Sequence, residues 1–243
     1  MLDGLDRLDG RAAVLAATAD HPYARLTTGG VDTLGFQGPD LLGWVGQGPW
    51  GPIACALGDP ARAVDLMRAL HAAGRVDADQ WVHLPRLPGP TGTPRDDWDF
   101  LWTTAAPPPV PGEDGVTRLT AGDDPAVAAL LEESFPESTS RPGDPRVRCW
   151  YGIHDRARLV AAGADRSRGG VGFIAGLAVR PAARRQGLGA ALAATATRRL
   201  HAEFGTVSLG VMAHRDGPKR LYARLGYTAA LARTTLPVSA VLR

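Results

Sequence analysis

The sequence of 243 residues is poor in the residues on which several familiar kinds of site depend. It has two cysteines, Cys55 and Cys149, and one lysine, Lys219, while arginine supplies the other basic side chains. Two cysteines without a CxxC spacing argue against a disulfide framework and against a cysteine-rich zinc site. The six histidines never stand at metal-ligand spacing from one another, and neither HExxH nor GxSxG occurs. We therefore expect no metal site, and metalloprotease and serine hydrolase functions are disfavoured.

The sequence also lacks a strong net charge and a signal segment. The formal net charge is +2 and 44% of the residues are hydrophobic, which fits a buried core better than a nucleic-acid-binding surface. The longest uncharged window, Leu41–Gly58, holds five glycines and two prolines, a pattern of turns and short strands that a membrane helix would not tolerate. The acidic start MLDGLDRLDG is unlike a signal peptide. We expect a cytoplasmic protein, monomer or homodimer, without nucleic acid or membrane as partner, and its arginine and alanine content is typical of GC-rich bacterial genomes.

A proline-rich segment near the middle divides the chain. TTAAPPPVPGEDG, residues 103–115, contains four prolines and no periodicity, which is typical of an interdomain linker. We predict a smaller α/β domain over 1–103, a linker over 104–115 and an α+β domain over 116–243. In the first domain Asp59 and Pro60 begin a helix that Gly74 ends. The predicted strands around it are YARLTT, LLGWVG, PIACAL, WVHLP and DFLWTT.

The second domain has a clearer order of strands and helices. VTRLTA is a predicted strand, and DDPAVAALLEESF is a predicted helix with one apolar stripe. The strands CWYGIH, ARLVAAGA and VGFIAGLAV follow. A helix from about Gln186 to Phe204 then leads to the strand TVSLGVM, a short helix around GPKRLYARL and a final strand near TTLPVSAVL. This order predicts an α+β fold with one mixed central sheet flanked by helices.

The stretch VRPAARRQGLGAALA, residues 179–193, leads from the third of those strands into the long helix. The first N–H groups of a helix have no partner within the helix, and together with the helix dipole they attract anions. Gly187 and Gly189 would let a phosphate approach the backbone, and Arg184 and Arg185 would add positive charge. The stretch therefore predicts a site for a polyanionic ligand.

Three phosphate-binding motifs compete for this stretch. The dinucleotide fingerprint GxGxxG fails because Leu192 takes the third glycine position. The Walker pattern fails because Lys219 is remote and follows a proline. The coenzyme A pattern Q/R-x-x-G-x-G/A is satisfied from Arg184 to Gly189 at every defined position.

The wider context resembles one superfamily. LAVRPAARRQGLGAAL and the later HRDGPKRLYARLGYT resemble motifs of the GNAT superfamily of acetyl-CoA-dependent N-acyltransferases, and the resemblance covers about residues 116–243. It implies a GNAT-like sheet, acetyl-CoA as cosubstrate and an amine of a small molecule or peptide as acceptor. It places the thioester and pantetheine against Leu177, Ala178 and Val179. It places the pyrophosphate against Arg184, Arg185, Gln186, Gly187, Leu188, Gly189 and Ala190.

The resemblance also bears on proton transfer. Tyr222 corresponds to the tyrosine of the last helix, the family's usual proton donor to the departing thiolate. Many relatives hold a glutamate base on the strand before the loop, yet no Asp or Glu occurs here between Asp165 and Glu203. The base therefore comes from elsewhere, acts through water or is absent, and it stays unassigned. The acidic and imidazole side chains on elements that border the acceptor cleft in similar proteins are Glu132, Glu133, Glu137 and His154. Arg215 stands where an asparagine is common, so a cofactor contact from it or from His214 stays open.

The first domain has no coenzyme A loop, but its strand, helix and strand order fits a decayed GNAT-like copy of the second. It holds five of the six tryptophans, which we expect mostly in the core or at a domain interface: Trp44, Trp50, Trp81, Trp98 and Trp102. The favoured function is acetyl transfer from acetyl-CoA to an amine by direct attack. The alternative is a non-catalytic acyl-CoA-binding or regulatory protein that kept the loop and lost its base.

Overall fold

The computed structural model describes residues 2–89 and 94–242. Its elements begin with β1 (Asp6–Asp9), α1 (Gly10–Ala17), α2 (Pro22–Thr27), β2 (Gly29–Gly38), β3 (Leu41–Gly48), β4 (Gly51–Gly58), α3 (Pro60–Ala72), β5 (Trp81–Pro85) and β6 (Asp96–Thr103). They continue with β7 (Val116–Arg118), α4 (Asp124–Ser134), β8 (Cys149–Asp155), β9 (Arg158–Asp165), β10 (Gly172–Val179), α5 (Leu188–Phe204), β11 (Val207–Met212), α6 (Asp216–Arg224), β12 (Ala229–Pro237) and α7 (Val238–Val241). Among these helices there is none with the length and apolar character that a membrane crossing requires.

The described residues form two compact units. Unit 1 is drawn from the ranges 1–100, 211–216 and 230–243, and unit 2 from 101–210 and 217–229. The last strand belongs to unit 1 because Arg233–Pro237 of β12 pair antiparallel with Pro85–Trp81 of β5. Each unit therefore contains residues from both sides of the predicted boundaries at 103 and 116. The boundaries themselves stay a prediction.

In unit 1 the strands lie in the order β1-β2-β3-β4-β5-β12. β4 and β5 are parallel and are joined through α3, whereas the other neighbours pair antiparallel. The predicted start of α3 is confirmed, because the Asp59 carboxylate accepts a hydrogen bond from the Arg62 N–H at 2.9 Å and Pro60 occupies the first turn. The buried stripe of α3, Leu66, Met67 and Leu70, belongs to the core of this unit.

In unit 2 the strands lie in the order β11-β10-β9-β8-β7. β10 and β11 are parallel and are joined through α5, while the remaining neighbours pair antiparallel. Leu130 and Leu131 of α4 are fully buried in a core with Trp150 of β8 and Ala178 of β10. The predicted α+β class, with a mixed sheet flanked by helices, is confirmed.

The two units repeat one order of elements. Each has three strands in antiparallel succession, then a helix, then a strand parallel to the third: β2-β3-β4-α3-β5 in unit 1 and β8-β9-β10-α5-β11 in unit 2. This repetition agrees with the hypothesis of a decayed copy. In both units the predicted strand, helix and strand order corresponds to a helical crossover between parallel neighbours.

One predicted strand is wrong, and the final strand ends earlier than predicted. YARLTT forms α2, because Pro22 starts the helix and the His21 side chain accepts a hydrogen bond from the Tyr23 N–H at 3.1 Å. The predicted strand has only six residues, too few to separate a helical from a strand period. The final strand begins at Ala229 and ends at Pro237, and residues 238–241 form α7.

The proline-rich segment is held along α5 by its own hydrogen bonds. The Arg198 guanidinium donates to the Pro107 carbonyl at 3.0 Å and pairs with Glu113 at 3.2 Å, and His201 Nε2 lies 3.0 Å from the Thr104 carbonyl. Burial opposes ionisation of Glu113, but hydrogen bonds from Arg198 and the Val110 N–H outweigh it and lower the pKa of this carboxyl. These contacts fix the segment more firmly than its composition predicts.

Candidate functional site

The strand β10 is irregular where the predicted thioester-binding residues begin. Its register with β9 pairs Ala175 with Ala164 and Ala178 with Ala162, so one extra residue is inserted on β10. Gly176 lies in this bulge with φ of +59°, a conformation that favours glycine. A side chain there would also meet the loop after α4, because a Cβ would stand 3.0 Å from Ser140 Cβ and 3.2 Å from Ser138 Oγ.

The bulge separates two parts of β10 that differ in their pairing. Gly172–Ile174 pair in parallel with Val207–Leu209 of β11. Leu177, Ala178 and Val179 lie beyond this pairing, at the end of the strand that leads into the loop. Ala178 is buried against α4, whereas Leu177 and Val179 are half-buried. The structure therefore leaves one edge of the predicted thioester-binding stretch outside the parallel ladder.

The loop before α5 offers a run of unpaired backbone donors. The N–H groups of residues 185–189 donate no hydrogen bond to any residue that the structure describes, whereas Ala183 and Arg184 donate to carbonyls of the preceding turn. Arg185 and Gly187 have φ of +65° and +80°, and alternation of left-handed with other conformations turns successive N–H groups towards one concave side. Ala190 differs from the other loop residues because its N–H already donates to the Gly187 carbonyl at 2.9 Å.

Small side chains keep this run of amides accessible. A Cβ on Gly187 would meet nothing within 4 Å, and a Cβ on Gly189 would meet only Val179 Cγ2, at 3.6 Å. Gln186 and Gly187 are exposed, while Leu188 and Gly189 are half-buried. The start of α5 thus combines free N–H groups, the positive end of a 17-residue helix and an open surface, which suits a phosphate group.

The two arginines of the motif have different surroundings. Arg184 Nε donates to the Val179 carbonyl at 3.2 Å, and its terminal nitrogen lies 3.5 Å from the Ser134 carbonyl at the end of α4. Arg185 forms no ion pair or hydrogen bond within the described part of the chain. Arg185 is therefore available to an anionic ligand, whereas Arg184 first has to leave two carbonyl groups.

Tyr222 lies on α6 and is almost completely buried, with 8% of its surface exposed. Burial raises the pKa of its phenol to about 12. Its ring packs edge-on against Tyr227 with centroids 5.8 Å apart, and among the described residues its hydroxyl finds no hydrogen-bond partner. Tyr227 instead shares a hydrogen bond of 2.8 Å with Thr197. The phenol of Tyr222 is therefore protonated at neutral pH and has no competing partner.

Two of the four candidate bases have a charged partner among the described residues. The Glu133 carboxylate pairs with Arg180 and with Arg158, the latter at 3.5 Å, and His154 Nε2 lies 3.7 Å from Asp123. Glu132 is exposed. Asp165 is buried at the end of β9, where it accepts hydrogen bonds from Ser167 and Arg148. His214 and Arg215 are exposed and belong to unit 1.

Sequence reasoning missed the side chains that the folded chain adds around β10. Ser138 and Ser140 are buried beside the bulge, and Arg180 is buried directly after Val179. The serines stand in a polar loop that has no motif, so only the contact with Gly176 identifies them. Arg180 could have been noticed, because an arginine between an apolar strand and a proline needs a partner when it is buried.

In unit 1 the corresponding place beside the parallel strands is filled by protein. β4 pairs with β5 through Ala54 with Val82 and Cys55 with His83, without a bulge in the register of β4 with β3. Beyond these pairs the buried Arg233 guanidinium donates to the Ala56 carbonyl at 2.8 Å and to the His83 carbonyl at 2.6 Å.

Aromatic side chains enclose this guanidinium. It lies 4.6 Å from the Tyr23 ring centre, and no carboxylate of the described chain pairs with it. Tyr23 Oη shares a hydrogen bond of 2.8 Å with His83 Nδ1. Burial, assisted by Arg233, lowers the pKa of His83 to about 3, so the imidazole is neutral. Trp44 and Trp98 are buried beside Tyr23, which places two of the five tryptophans in the core.

Other parts of the surface show fewer features of a binding site. A cavity of about 340 Å³ opens between β7, the start of α4 and residues 143–150, but none of its lining residues belongs to β10 or to the loop 184–190. Within the described ranges, no three His, Cys, Asp or Glu side chains come together in a way that could hold a metal ion.

Comparisons with known proteins point to the stretch that contains β10 and the loop before α5. Residues 122–227 match the family model described as "Acetyltransferase (GNAT) family". A search of curated proteins gave no significant match.

Solved structures of similar fold cover nearly the whole chain. A GNAT-family acetyltransferase structure from Novosphingobium aromaticivorans has 23% identity and a TM-score of 0.56, covering 94% of this chain and 96% of that one. A GCN5-related N-acetyltransferase from Sphaerobacter thermophilus has 17% identity and a TM-score of 0.55, covering 97% and 96%. One from Kribbella flavida has 24% identity and a TM-score of 0.52, covering 84% and 88%.

At these identities the likeness concerns the fold, and it extends the GNAT-like arrangement to both halves of the chain. The family model, the bulged strand and the amide-rich helix start all fall in the same stretch. Residues 122–227 of this chain are a domain of the acetyltransferase (GNAT) family.

Proposed function

We propose that this protein transfers an acetyl group from acetyl-CoA to an amine of a small molecule or peptide by direct attack. The observation that carries the proposal is the run of unpaired N–H groups at 185–189, directly after a strand whose end lies outside the parallel ladder. A pyrophosphate requires such donors, and a thioester arm requires free backbone beside them. Both free thiols, Cys55 and Cys149, agree with a reducing cytoplasm, which we propose as the location.

The residues present fit the phosphate part of coenzyme A. The amides of 185–189 and the dipole of α5 would hold the pyrophosphate, and Arg185 would add a charge-assisted hydrogen bond worth roughly 1.5–3 kcal/mol. Arg184 would contribute only after leaving the Val179 carbonyl, to which it donates at 3.2 Å. Release of Arg184 would free that carbonyl for an amide of the pantetheine arm.

The end of β10 would position the reacting carbonyl. Leu177 and Val179 are half-buried, so their backbone groups can be reached from the surface while water is partly excluded. A backbone N–H aimed at the developing oxyanion contributes about 3 kcal/mol per donor in comparable sites. The bulge at Gly176 reorients the backbone of this stretch relative to a regular ladder.

Tyr222 would assist departure of the thiolate. Its pKa of about 12 keeps the phenol protonated throughout the physiological range. Since a thiol has a pKa of about 8.5, complete transfer from the isolated phenol is unfavourable, and the phenol must donate its hydrogen bond as negative charge develops on sulfur. When the C–S bond breaks, the sulfur leaves as a thiolate that is hydrogen-bonded to the phenol. The proton that the attacking amine loses passes to solvent, and solvent protonates the thiolate.

The amine must arrive neutral or lose its proton to water. For an amine with a pKa near 10.4, fewer than about one molecule in a thousand is neutral at pH 7. The Glu133 carboxylate is already paired with Arg180 and, at 3.5 Å, with Arg158, and β10 itself carries no carboxylate. The amine would then lose its proton to water before it attacks.

The lack of an acidic residue on β10 also favours the alternative, a non-catalytic acyl-CoA-binding or regulatory protein. Acetyl-CoA at about 100 times its Kd should stabilise the folded state by about 2.7 kcal/mol under either function. Release of free thiol from acetyl-CoA in a panel of small amines and peptides separates them. Thiol release supports the enzyme, stabilisation without release supports the binder, and no stabilisation contradicts both.

A further inference from the structure

Arg180 is a buried cation at the junction between the two halves of the proposed site. It directly follows Val179, the last residue of β10, and only 7% of its surface is exposed. Four residues separate it from Arg185, the first of the unpaired amides. Any change in the direction in which the chain leaves Arg180 therefore changes the distance between the thioester strand and the phosphate-binding amides.

The contacts of Arg180 fix that direction from three sides. Its backbone N–H donates to the Val160 carbonyl at 2.9 Å, and its Nε donates to the Leu159 carbonyl at 2.8 Å, both on β9. Its terminal nitrogen forms an ion pair with Glu133 on α4. A single side chain thus connects the end of β10 with its neighbouring strand and with the helix that packs on it.

A second arginine, Arg158, lies beside the Glu133 carboxylate and serves as a control for Arg180. Arg158 also pairs with Glu133, at 3.5 Å, but its side chain is 64% exposed and it stands at the start of β9. Removing either arginine removes one positive charge near Glu133. Only removal of Arg180 releases the end of β10. Comparing the two variants therefore separates the effect of the lost charge from the effect of a displaced backbone.

We propose that Arg180, held by Glu133, is a positioning residue that sets the spacing between the thioester strand and the pyrophosphate-binding amides. It acts through the backbone of Val179 and of the loop, and it touches neither ligand nor reacting atoms. This inference rests on the proposed function, because the spacing matters only if one ligand spans both halves of the site.

The decisive measurement compares whole coenzyme A with one of its fragments. We would measure Kd by calorimetry for coenzyme A and for 3′-phospho-ADP, which carries the phosphates but no pantetheine arm. Arg180→Met should weaken coenzyme A about tenfold or more, since a displacement of about 1 Å is costly in a preorganised site, while the fragment changes by no more than about threefold. Arg180→Lys should recover part of the loss, because a lysine can still reach Glu133.

The controls distinguish the outcomes. Arg158→Met should change both ligands equally and little, and Glu133→Gln, a change at a half-exposed carboxylate, should act in the direction of Arg180→Met if the methionine variant does not fold. Equal weakening of coenzyme A and fragment in both Arg180→Met and Glu133→Gln would overturn the positioning role alone. Failure of the wild-type protein to bind coenzyme A would overturn the proposed function and this inference with it.

Discussion

At the residue scale, the two tyrosines of unit 2 provide a matched pair. Tyr222 and Tyr227 are both buried and pack edge-on, but only the Tyr227 hydroxyl is hydrogen-bonded, to Thr197 at 2.8 Å. Burial raises the pKa of both phenols. The difference between them is therefore the partner of the hydroxyl group.

Tyr222→Phe should lower kcat about 100-fold, the lower range for a positioned acid, and leave the KM for acetyl-CoA nearly unchanged. Its melting temperature should stay close to the wild type because no hydrogen bond is lost. Tyr227→Phe should do the reverse, keeping kcat and losing about 1 kcal/mol of stability. Steady-state kinetics and thermal denaturation of both variants check this, and an unchanged kcat in Tyr222→Phe would remove Tyr222 from the mechanism.

The dependence of kcat/KM on pH follows from the same residue. The pKa of Tyr222 is raised, so its acid form persists below about pH 12 and no loss of activity from its ionisation is expected up to pH 10. If the amine loses its proton to water before it attacks, kcat/KM should rise about tenfold per pH unit as a primary amine loses its proton. A plateau beginning near pH 6–7 with such an amine would instead reveal a carboxylate or histidine base.

At the element scale, the two ends of α5 each carry a glycine with a different task. Gly189 lies in the first turn, where an added methyl group would meet only Val179, at the ordinary contact distance of 3.6 Å. Gly205 follows the last turn with φ of +68°. One glycine keeps the amides accessible and the other ends the helix.

Gly189→Ala should therefore stabilise the fold by roughly 0.4–1 kcal/mol, as alanine does within helices, while weakening coenzyme A about tenfold by obstructing the amides. Gly205→Ala should cost about 1 kcal/mol in the left-handed conformation and leave affinity unchanged. Thermal denaturation and calorimetry of the two variants decide it. Tight binding by Gly189→Ala would mean that the ligand does not approach this turn.

The positions of α3 and α5 were predictable from the sequence, and the reasons are physical. Asp59 and Pro60 before α3, and the glycines around α5, act through local backbone rules, so these two helices were predicted where they occur. The bulge in β10 was not predictable, because it depends on Ser138 and Ser140 lying beside Gly176. The contact of Arg184 with Val179 and the burial of Arg180 likewise depend on how strands and helices meet in three dimensions.

At the scale of the whole molecule, two copies of one order of elements differ in what lies beside their parallel strands. In unit 2 the end of β10 is accessible, whereas in unit 1 the Arg233 guanidinium occupies the carbonyls of Ala56 and His83. We expect one coenzyme A to bind per chain. Calorimetric titration measures this number directly, and two equivalents, or one equivalent with an unchanged Kd in Gly189→Ala, would contradict the assignment.

The pairing of β12 with β5 has a consequence for the order in which the chain is made and folds. This strand pairs with β5, and Arg233 within it is fully buried in unit 1. During synthesis the residues of unit 1 therefore emerge first but must wait for the ribosome to finish unit 2 before their own sheet receives its last strand. A premature stop shortly before residue 229 would leave the acetyltransferase motifs intact and expose the apolar interior of the half that was made first.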